Sequence, residues 1–438
     1  MKTQIHPPIT PPQKIKKIIL SCLVGNWLEW YEFAIFGFLS KQISMNFFPA
    51  TNPRLAILMT YGVFATGFIM RPIGAILSGY LGDRHGRKTG LLVSIVLMAI
   101  PTFCMGILPT YDQVGLIAPL LLLLCRMLQG ISLGGEFSGS IVYLIEHAPK
   151  NRQALFGLGA DFGSSMGMIS ATLTIMFLTS VLTSDELVAW GWRLPFLFGL
   201  LFGGVCYYVR NNLDESPQFK NLSPENKVKN PLKVSVTDDP RKFILSILFL
   251  ALNSGGYYFL VIYLPQQVGQ GDNQYLLTLL PLVSLISMIP AYFLGAYLAD
   301  RMGQTPCLIW GCVMAIVLVF PLIYATHYMD VIWKCVFHVL FAWSLGLCFG
   351  PRSSFMVQLY PIEIRCTAIS VSYNLANALF GGLSPLVCLT FVGYFQTSYG
   401  AGFWVLGTAI ISLISVIYLS RIKKRYEMRD EVALLEAA

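Results

Sequence analysis

The sequence predicts an all-α integral membrane protein whose twelve transmembrane helices form two pseudo-symmetric six-helix bundles. Of its 438 residues, 55% are hydrophobic and only 12% are charged, whereas a typical soluble domain is about 25% charged. Twelve stretches stay apolar for about 20 residues, which is the length that crosses a bilayer core. A short polar motif also occurs twice, at the same place in each half of the chain. These three observations predict the fold class.

The twelve apolar stretches are numbered spans 1 to 12 in chain order. Their predicted ranges are 17–39, 55–82, 89–109, 116–146, 153–181, 190–210, 241–265, 274–299, 306–326, 331–358, 366–394 and 399–421. Several exceed 20 residues, which allows a span to tilt or to extend past the lipid. Span 1 is too long for a signal peptide and carries Glu29 and Glu32.

Lysine and arginine predict the orientation of the chain. If both termini are cytoplasmic, 23 of the 30 Lys and Arg residues lie on the cytoplasmic side, and three lie outside, namely Lys41, Arg54 and Lys334. Short cytoplasmic loops of membrane proteins carry such an excess of positive charge. The net charge of +8 is therefore a topology signal, and no nucleic-acid partner is expected.

The longest polar stretch between spans lies near the middle, at 211–240, and predicts a cytoplasmic linker. We expect an N-terminal bundle at 17–210, a C-terminal bundle at 241–421, and cytoplasmic tails at 1–16 and 422–438. Two six-helix halves, with a site between them near the membrane midplane, are an architecture of transporters.

The repeated motif reads GYLGDRHGRK at 79–88 and AYLADRMGQT at 296–305, with five identical residues at a constant offset. Both copies follow the second span of their half. Further motifs are GNWLEWYEFAIFGF at 25–38, GFIMRPIGAILSGYLGDRHGRK at 67–88, RMLQGISLGGEFSG at 126–139, WGWRLPF at 190–196, LDESPQF at 213–219 and YPIEIRCTAISVSYNLANALFGG at 360–382. Together they resemble the metabolite:proton symporter family of the major facilitator superfamily.

The resemblance implies proton-coupled symport, by alternating access, of a small carboxylate or zwitterionic metabolite such as betaine, proline or another organic acid. It also implies a monomer in the bacterial cytoplasmic membrane, whose partners are the solute, the proton and membrane lipid. The alternative is a proton-driven antiporter that exports a drug or metabolite. Exporters of this superfamily often have a glycine–proline motif in span 5, and 153–181 contains no proline.

Ionisable side chains within a span cost about 2.5–3.5 kcal/mol each on insertion scales, so each should face a cavity or a partner. Burial favours the neutral carboxyl, which makes a buried acid a candidate proton carrier. The proton-coupling candidates are Glu29, Glu32, Glu136 and Asp161. The alternative for each acid is a polar contact that only holds helices together.

Substrate-binding candidates in the first half are Asn26, Arg126 and Gln129. Asn26 shares a helical stripe with Glu29, and Arg126 shares one with Gln129 and Glu136. A planar guanidinium suits bidentate binding of a carboxylate. The alternative is that Glu29 or Glu32 neutralises Arg126. Arg126 and Glu136 lie about 15 Å apart along the helix, so each needs another partner or a ligand.

Substrate-binding candidates in the second half are mostly uncharged. They are Tyr257, Tyr258, Arg352, Asn374 and Asn377. Tyrosine rings can bind a quaternary ammonium or amine through cation–π contacts, and the alternative is ordinary packing. Arg352 can add a carboxylate contact or extend to the cytoplasmic interface.

The repeated motif and its surroundings predict a gate. We expect Arg87 and Lys88 to reach acids at the cytoplasmic end of span 4, such as Glu146, and Asp83 to cap the following helix or to pair with an arginine. The candidate gating residues are Asp83, Arg84, Arg87, Lys88, Glu146, Asp300 and Arg301.

Motifs of enzymes and ATPases are absent from the sequence. There is no Walker loop, HExxH or GxSxG motif. The ten cysteines lie mostly in apolar runs and include no CxxC pair. We therefore expect a transporter that is not an enzyme, with no cofactor and no metal site.

Overall fold

The computed structural model describes residues 12–48, 53–222, 228–268 and 275–436. Helices dominate these residues, and no β-strand occurs among them. Eleven helices in the described ranges are long and apolar enough to cross a membrane. Span 1 is helical as well, over Pro12–Phe38, although it carries several charged side chains. The predicted all-α, multi-pass fold is confirmed.

The helices of spans 1 to 6 follow the predicted order. They are Pro12–Phe38, Pro53–Arg84, Arg87–Ile107, Ile117–Leu133 with Glu136–His147, Gln153–Val181 and Leu194–Asn211. The shorter helices and 3-10 turns are Ser40–Phe47, Tyr111–Val114, Lys150–Arg152, Ser184–Ala189, Gly191–Arg193, Pro217–Lys220 and Pro231–Thr237. Span 4 tightens at the two glycines that separate its parts, where the amides of Gly134 and Gly135 bond three residues back, to Ile131 and Ser132.

The helices of spans 7 to 12 include two π-helical segments. Span 7 comprises Pro240–Phe249, Ala251–Tyr258, the π segment Phe259–Tyr263 and Leu264–Val268, and span 11 comprises Arg365–Ala376, the π segment Asn377–Gly382 and Ser384–Phe395. The others are Leu276–Met302, Gln304–Tyr328, Val331–Leu359 and Gly400–Glu436. The last helix continues past the predicted end of span 12, because the polar residues beyond 421 include strong helix formers that a hydropathy reading does not detect.

The chain divides into two compact units. Unit 1 comprises 1–149, 159–232 and 362–371, and unit 2 comprises 150–158, 233–361 and 372–438. Each unit includes a short segment from the other half of the sequence. The beginning of span 11 packs with unit 1, and the beginning of span 5 packs with unit 2.

Close approach of spans 2 and 4 shapes the interior of unit 1. A Cβ built on Gly74 would lie 2.0 Å from the carbonyl oxygen of Ile131, and one built on Gly130 would lie 2.3 Å from that of Gly67. Small residues allow helix backbones to approach in this way where lipid provides no hydrophobic drive. The contact brings span 4, with Arg126, against span 2.

The repeated motif ends in the same backbone conformation in both halves. Gly86 has a φ of 115° and Gly303 a φ of 92°, and each immediately precedes a helix. Glycine adopts this region without the steric cost that a Cβ would add. The sequence repeat is therefore also a structural repeat.

Candidate functional site

Arg126 is a buried cation without an acidic partner in the described structure. Its side chain is 1% exposed and donates from Nη1 to Oε1 of Gln129 at 2.8 Å. It forms no ion pair with any described carboxylate, and its Nε and Nη2 have no hydrogen-bond partner among the described residues. No ion pair joins Arg126 to Glu29 or Glu32 among the described residues, and the alternative that one of these acids neutralises it stays a prediction.

Three phenylalanine rings enclose the guanidinium of Arg126. Its Cζ lies 4.3 Å from the ring centre of Phe36, 5.0 Å from that of Phe64 and 5.3 Å from that of Phe33. Cation–π contacts of this kind stabilise an arginine but use no N–H donor. Nε and Nη2 of the buried guanidinium therefore lack a hydrogen-bond acceptor among the described residues.

A continuous hydrogen-bond path leads from Arg126 to Glu32. Nε2 of Gln129 donates to Oγ1 of Thr102 at 2.5 Å, and Thr102 in turn donates to Oε2 of Glu32. The other oxygen of Glu32 has no hydrogen-bond partner among the described residues. The sequence did not indicate a site role for Thr102, because the hydroxyl of a threonine in an apolar helix ordinarily bonds a carbonyl of the preceding turn.

Glu29 and Asn26 lie together on span 1, as their helical spacing requires. Both side chains are buried, and Asn26 donates to the carbonyl of Cys22 at 2.8 Å. Neither oxygen of the Glu29 carboxyl accepts a hydrogen bond from a described residue, nor does Oδ1 of Asn26. Buried carboxyl oxygens without a donor are uncommon in folded proteins.

Glu136 belongs to a different contact from Glu29. Arg210 holds it in a bidentate ion pair, with Nη1 2.8 Å from Oε2 and Nη2 bonded to Oε1, and also donates to the carbonyl of Leu91 at 2.9 Å. Arg210 is the last residue of the predicted span 6, and its side chain is 1% exposed. Because it lies at the end of span 6, the sequence alone does not distinguish it from a charge that flanks the membrane.

Two further ionisable residues of the first half are buried in their helices. Asp161 lies in span 5 and is 4% exposed, and Arg71 lies in span 2 with its guanidinium 5.9 Å from the ring centre of Phe68. Both positions fit the expectation that charge within a span avoids lipid.

Aromatic side chains surround Arg352 in unit 2. Its Cζ lies 4.2 Å from the ring centre of Phe349 and 5.6 Å from that of Tyr373. Tyr257 contacts Tyr258 and Phe349, with ring centres 5.7 and 6.3 Å apart. Arg352 is 3% exposed, so the alternative that it extends to the cytoplasmic interface is wrong.

The two π segments border the polar residues of unit 2. Asn377 begins the π segment of span 11, accepts a hydrogen bond from Ser254 of span 7 at 3.3 Å and donates to the carbonyl of Tyr373 at 2.9 Å. Asn374 lies one turn earlier and is buried. Such bulges are frequent at functional sites because they redirect side chains within a helix.

The first copy of the repeated motif forms a charged network in unit 1. Arg87 pairs with Glu146 through two 3.2 Å contacts and lies 3.4 Å from Asp83, and Arg365 also reaches Glu146 at 3.0 Å. Lys88 differs from the expectation, because it donates to the carbonyl of Asn211 at 2.6 Å instead of reaching Glu146.

The aspartates of the two motif copies make equivalent contacts. Asp83 accepts the amides of Cys366 and Thr367 at 3.0 and 2.8 Å. Asp300 accepts the amides of Ala154 and Leu155 at 2.9 and 3.0 Å. Asp83 thus caps the N-terminus of span 11, and Asp300 caps that of span 5. At a helix N-terminus the amides lack partners and the helix dipole favours negative charge.

The helix that follows the first motif copy has a different cap from the one expected. Glu215 of the linker accepts the amides of Arg87 and Lys88 at 2.9 and 3.2 Å, so Asp83 is not the cap of that helix. Arg84 and Arg301 lie over the tyrosines of their own motifs, with Cζ 5.6 Å from the ring centre of Tyr80 and 4.4 Å from that of Tyr297.

The family model for the major facilitator superfamily matches residues 23–385, which is most of the chain. The chain belongs to the major facilitator superfamily. Members of this superfamily have twelve helices, which agrees with the twelve predicted spans. The predicted superfamily is confirmed, and its members are transporters and not enzymes.

Two bacterial transporters resemble this chain along nearly its whole length. The proline/betaine transporter of Escherichia coli K12 is 29% identical over 433 residues, covering 94% of this chain and 85% of that protein. A putative proline/betaine transporter of Staphylococcus aureus MSSA476 is 33% identical over 420 residues, covering 93% and 88%. The expected resemblance is therefore confirmed at the level of the whole chain.

Solved structures of the superfamily share the fold. The proton:xylose symporter XylE, bound to 6-bromo-6-deoxy-D-glucose, superposes with a TM-score of 0.78 at 16% identity and covers 93% of this chain and 96% of its own. A partially occluded inward-open form of the xylose transporter XylE from E. coli has a TM-score of 0.66. This likeness establishes the fold of this multi-pass membrane transporter.

Proposed function

We propose that this transporter carries a proton together with a small zwitterionic or carboxylate solute, such as betaine, proline or another organic acid, by alternating access. The observation that carries the proposal is the buried guanidinium of Arg126, which has two unused nitrogens and no ion pair in the described structure. A solute carboxylate would supply the missing counter-charge, and a planar fork of N–H donors suits its two oxygens.

The relatives support this choice of solute. The similar proteins from E. coli and S. aureus are named for proline and betaine, both of which carry a carboxylate. XylE, which shares the fold, is described as a proton symporter. Both facts favour proton-coupled uptake over proton-driven export.

Three buried acids of the first half can carry the proton. Neither carboxyl oxygen of Glu29 accepts a hydrogen bond from a described residue, and Oε1 of Glu32 accepts none either. Asp161 is buried in span 5. A carboxyl in such surroundings is stable when neutral. Glu136, in contrast, forms a bidentate ion pair with Arg210, so we assign it to joining spans 4 and 6.

The second unit supplies aromatic faces and one guanidinium. We propose Tyr257, Tyr258, Arg352, Asn374 and Asn377 as substrate-binding residues, as the sequence predicted. A cluster of rings with an arginine offers cation–π contact and carboxylate contact, which are the two kinds of contact that a zwitterion requires.

The capped motifs and the placement of charge complete the proposal. We propose that Asp83, Arg84, Arg87, Lys88 and Glu146, and in the second half Asp300 and Arg301, form a cytoplasmic gate. We also propose a monomer in the bacterial cytoplasmic membrane with both termini in the cytoplasm. The lysine and arginine bias supports this orientation.

The test is uptake by proteoliposomes with an imposed proton gradient. Labelled glycine betaine, L-proline, a dicarboxylate and citrate are offered with the outside acidic, and again after a protonophore has collapsed the gradient. We expect accumulation of a carboxylate solute only with the gradient. Arg126→Ala should weaken binding of that solute by about 2–5 kcal/mol, or roughly 30-fold or more, since a buried charge contact is lost.

Arg193→Lys is the matched control. Arg193 donates to the backbone carbonyls of Gly106 and Leu108 at the edge of unit 1, at 3.0 and 2.7 Å, so this variant should transport normally. Uptake that ignores the gradient would rule out coupling, and wild-type affinity in Arg126→Ala would rule out the carboxylate contact. If the solute instead left the vesicles while protons entered, the protein would be a proton-driven exporter.

A further inference from the structure

Four buried side chains of unit 1 form a linear hydrogen-bond path between a cation and an acid. Arg126 donates to Gln129 at 2.8 Å, Gln129 donates to Thr102 at 2.5 Å, and Thr102 donates to Glu32. All four are at most 1% exposed. The path crosses three helices, because Glu32 lies on span 1, Thr102 on span 3, and Arg126 and Gln129 on span 4.

Thr102 has a choice of acceptors within this path. Its Oγ1 also lies 2.8 Å from the backbone carbonyl of Met98, one turn earlier in the same helix. A hydroxyl has one proton to donate and two lone pairs that accept. Thr102 can therefore donate either to Glu32 or to Met98, while accepting from Gln129 in both cases.

We propose that Thr102 and Gln129 are positioning residues that link protonation of Glu32 to the ability of Arg126 to bind a carboxylate. This inference rests on the proposed function only for the identity of the bound anion. The path itself is a property of the protein alone, so it can be tested without any solute.

With Glu32 ionised, every donor in the path points from the cation towards the anion. Such an aligned chain is stronger than its separate bonds, because each bond polarises the next. The carboxylate of Glu32 then serves as the indirect counter-charge of Arg126. An incoming solute carboxylate therefore binds Arg126 more weakly in this state.

With Glu32 protonated, the path has a different arrangement. An O–H bond of hydronium breaks, leaving water, and the proton forms an O–H bond on the Glu32 carboxylate. The new carboxyl donates to Oγ1 of Thr102, and the Thr102 hydroxyl turns to donate to the carbonyl of Met98, so no other covalent bond changes. Arg126 has now lost its counter-charge, and a buried unpaired charge is costly, so a solute carboxylate binds more tightly. Linkage requires the reverse as well: a bound carboxylate favours protonation of Glu32.

The charges around Glu32 are consistent with this role. Arg126 is its electrostatic neighbour from a helix packed against span 1, and Glu29 and Tyr31 are its titratable neighbours on the same helix. Span 3 faces it with Thr102 and span 6 with Gly199, where a Cβ would lie 2.7 Å from Oε1 of Glu32. The other charged groups packed nearby, Arg71, Glu136 and Arg210, interact with Glu29.

The first experiment measures Glu32 without solute. Infrared titration of the reconstituted full-length protein follows the carbonyl stretch of its protonated carboxyl, identified by its loss in Glu32→Gln. Replacing Arg126 by Gln should move the midpoint of this titration. In Thr102→Val the same replacement should move it much less, which is the non-additivity expected of residues in one network.

The second experiment measures binding of glycine betaine and L-proline as a function of pH. The wild-type affinity should rise as Glu32 becomes protonated, by about fivefold or more. Thr102→Val and Gln129→Leu should bind the probe with little pH dependence, whereas Thr102→Ser should restore it. Thr60→Val is the matched control, because Thr60 is equally buried and its hydroxyl donates to the carbonyl of Ala56 in its own helix.

The outcomes separate the two proposals. The proposed link between Glu32 and Arg126 would be overturned if Arg126→Gln moved the Glu32 titration midpoint as far in Thr102→Val as in the wild type. It would also be overturned if well-folded Thr102→Val and Gln129→Leu bound the probe with the wild-type pH dependence. If Thr102→Val does not fold, Gln129→Leu and Thr102→Ser decide the same question. A positive infrared result with no probe bound would support the link and count against the proposed solute.

Discussion

At the scale of single residues, the ion pairs of unit 1 divide the buried charges into two kinds. Glu136 and Arg210 satisfy each other, whereas Arg126 and Glu29 have no such partner among the described residues. Removing one member of a buried pair leaves an uncompensated charge, while removing both can be almost neutral. In the proposed function, the paired charges hold the bundle together, and the others bind the solute or carry the proton.

Glu136→Gln tests the structural assignment of that residue. We expect a loss of stability of about 3–5 kcal/mol, because Arg210 would remain buried and charged. The double variant Glu136→Leu with Arg210→Met should regain most of it. Thermal unfolding of the purified protein in detergent measures both. A stable Glu136→Gln protein that has lost only proton coupling would contradict the assignment.

The residue roles were only partly predictable from the sequence. Helical spacing showed that Arg126 could not reach Glu136, but it could not show that Arg210 would. Nor could it identify Thr102, since the sequence around a helical threonine does not reveal which neighbour its hydroxyl meets. Contacts between helices distant in the chain depend on packing, and the sequence pattern describes one helix at a time.

At the scale of helices, close packing of spans 2 and 4 determines the place of Arg126. Gly74→Ala should destabilise unit 1 strongly, because the new methyl group would lie 2.0 Å from the backbone oxygen of Ile131 and neither backbone can move freely. Gly62→Ala is the matched control on the same helix, since no atom lies within 4 Å of its added Cβ.

The measurement for this pair is the yield of monodisperse protein and its melting temperature. We expect Gly62→Ala to match the wild type or to exceed it slightly, as alanine favours helix. Equal melting temperatures for the two variants would show that the spans are not packed as closely as described.

Helix existence was easier to predict than helix detail. Apolar length alone predicted twelve spans, because every backbone group within a bilayer must be paired inside its own helix. Eleven of them match described helices that are long and apolar enough to cross a membrane, and span 1 matches the helix Pro12–Phe38. The tightened turn at Gly134 and Gly135 and the two π segments were not predicted. Hydropathy averages over about 20 residues and cannot detect a single shifted hydrogen bond.

At the scale of the whole molecule, the repeated motif connects the halves of the sequence. Each aspartate, Asp83 and Asp300, caps a helix from the opposite half, although each cap lies within a single unit. The repeat was visible in the sequence, whereas its partners, about 280 and 145 residues away, were not. Conformational cycling of a transporter requires such contacts to open and re-form.

Asp83→Asn tests this gate with a natural reporter. The thiol of Cys366 is buried beside the cap, so its alkylation by a membrane-impermeant maleimide from the cytoplasmic side reports opening. We expect faster labelling of Cys366 in Asp83→Asn, as read by peptide mass spectrometry, because an amide is a weaker cap than a carboxylate. Asp112→Asn, an exposed acid, is the control. Unchanged labelling in Asp83→Asn would contradict the gating role.

The most direct test of the central claim compares a carboxylate solute with its carboxamide analogue. Calorimetric titration gives the affinity of wild type and Arg126→Ala for the best solute of the uptake panel and for its amide. We expect the wild type to prefer the carboxylate by roughly 30-fold or more, and Arg126→Ala to bind both about equally. A preference for the carboxylate that survives in Arg126→Ala would contradict the claim that Arg126 binds it.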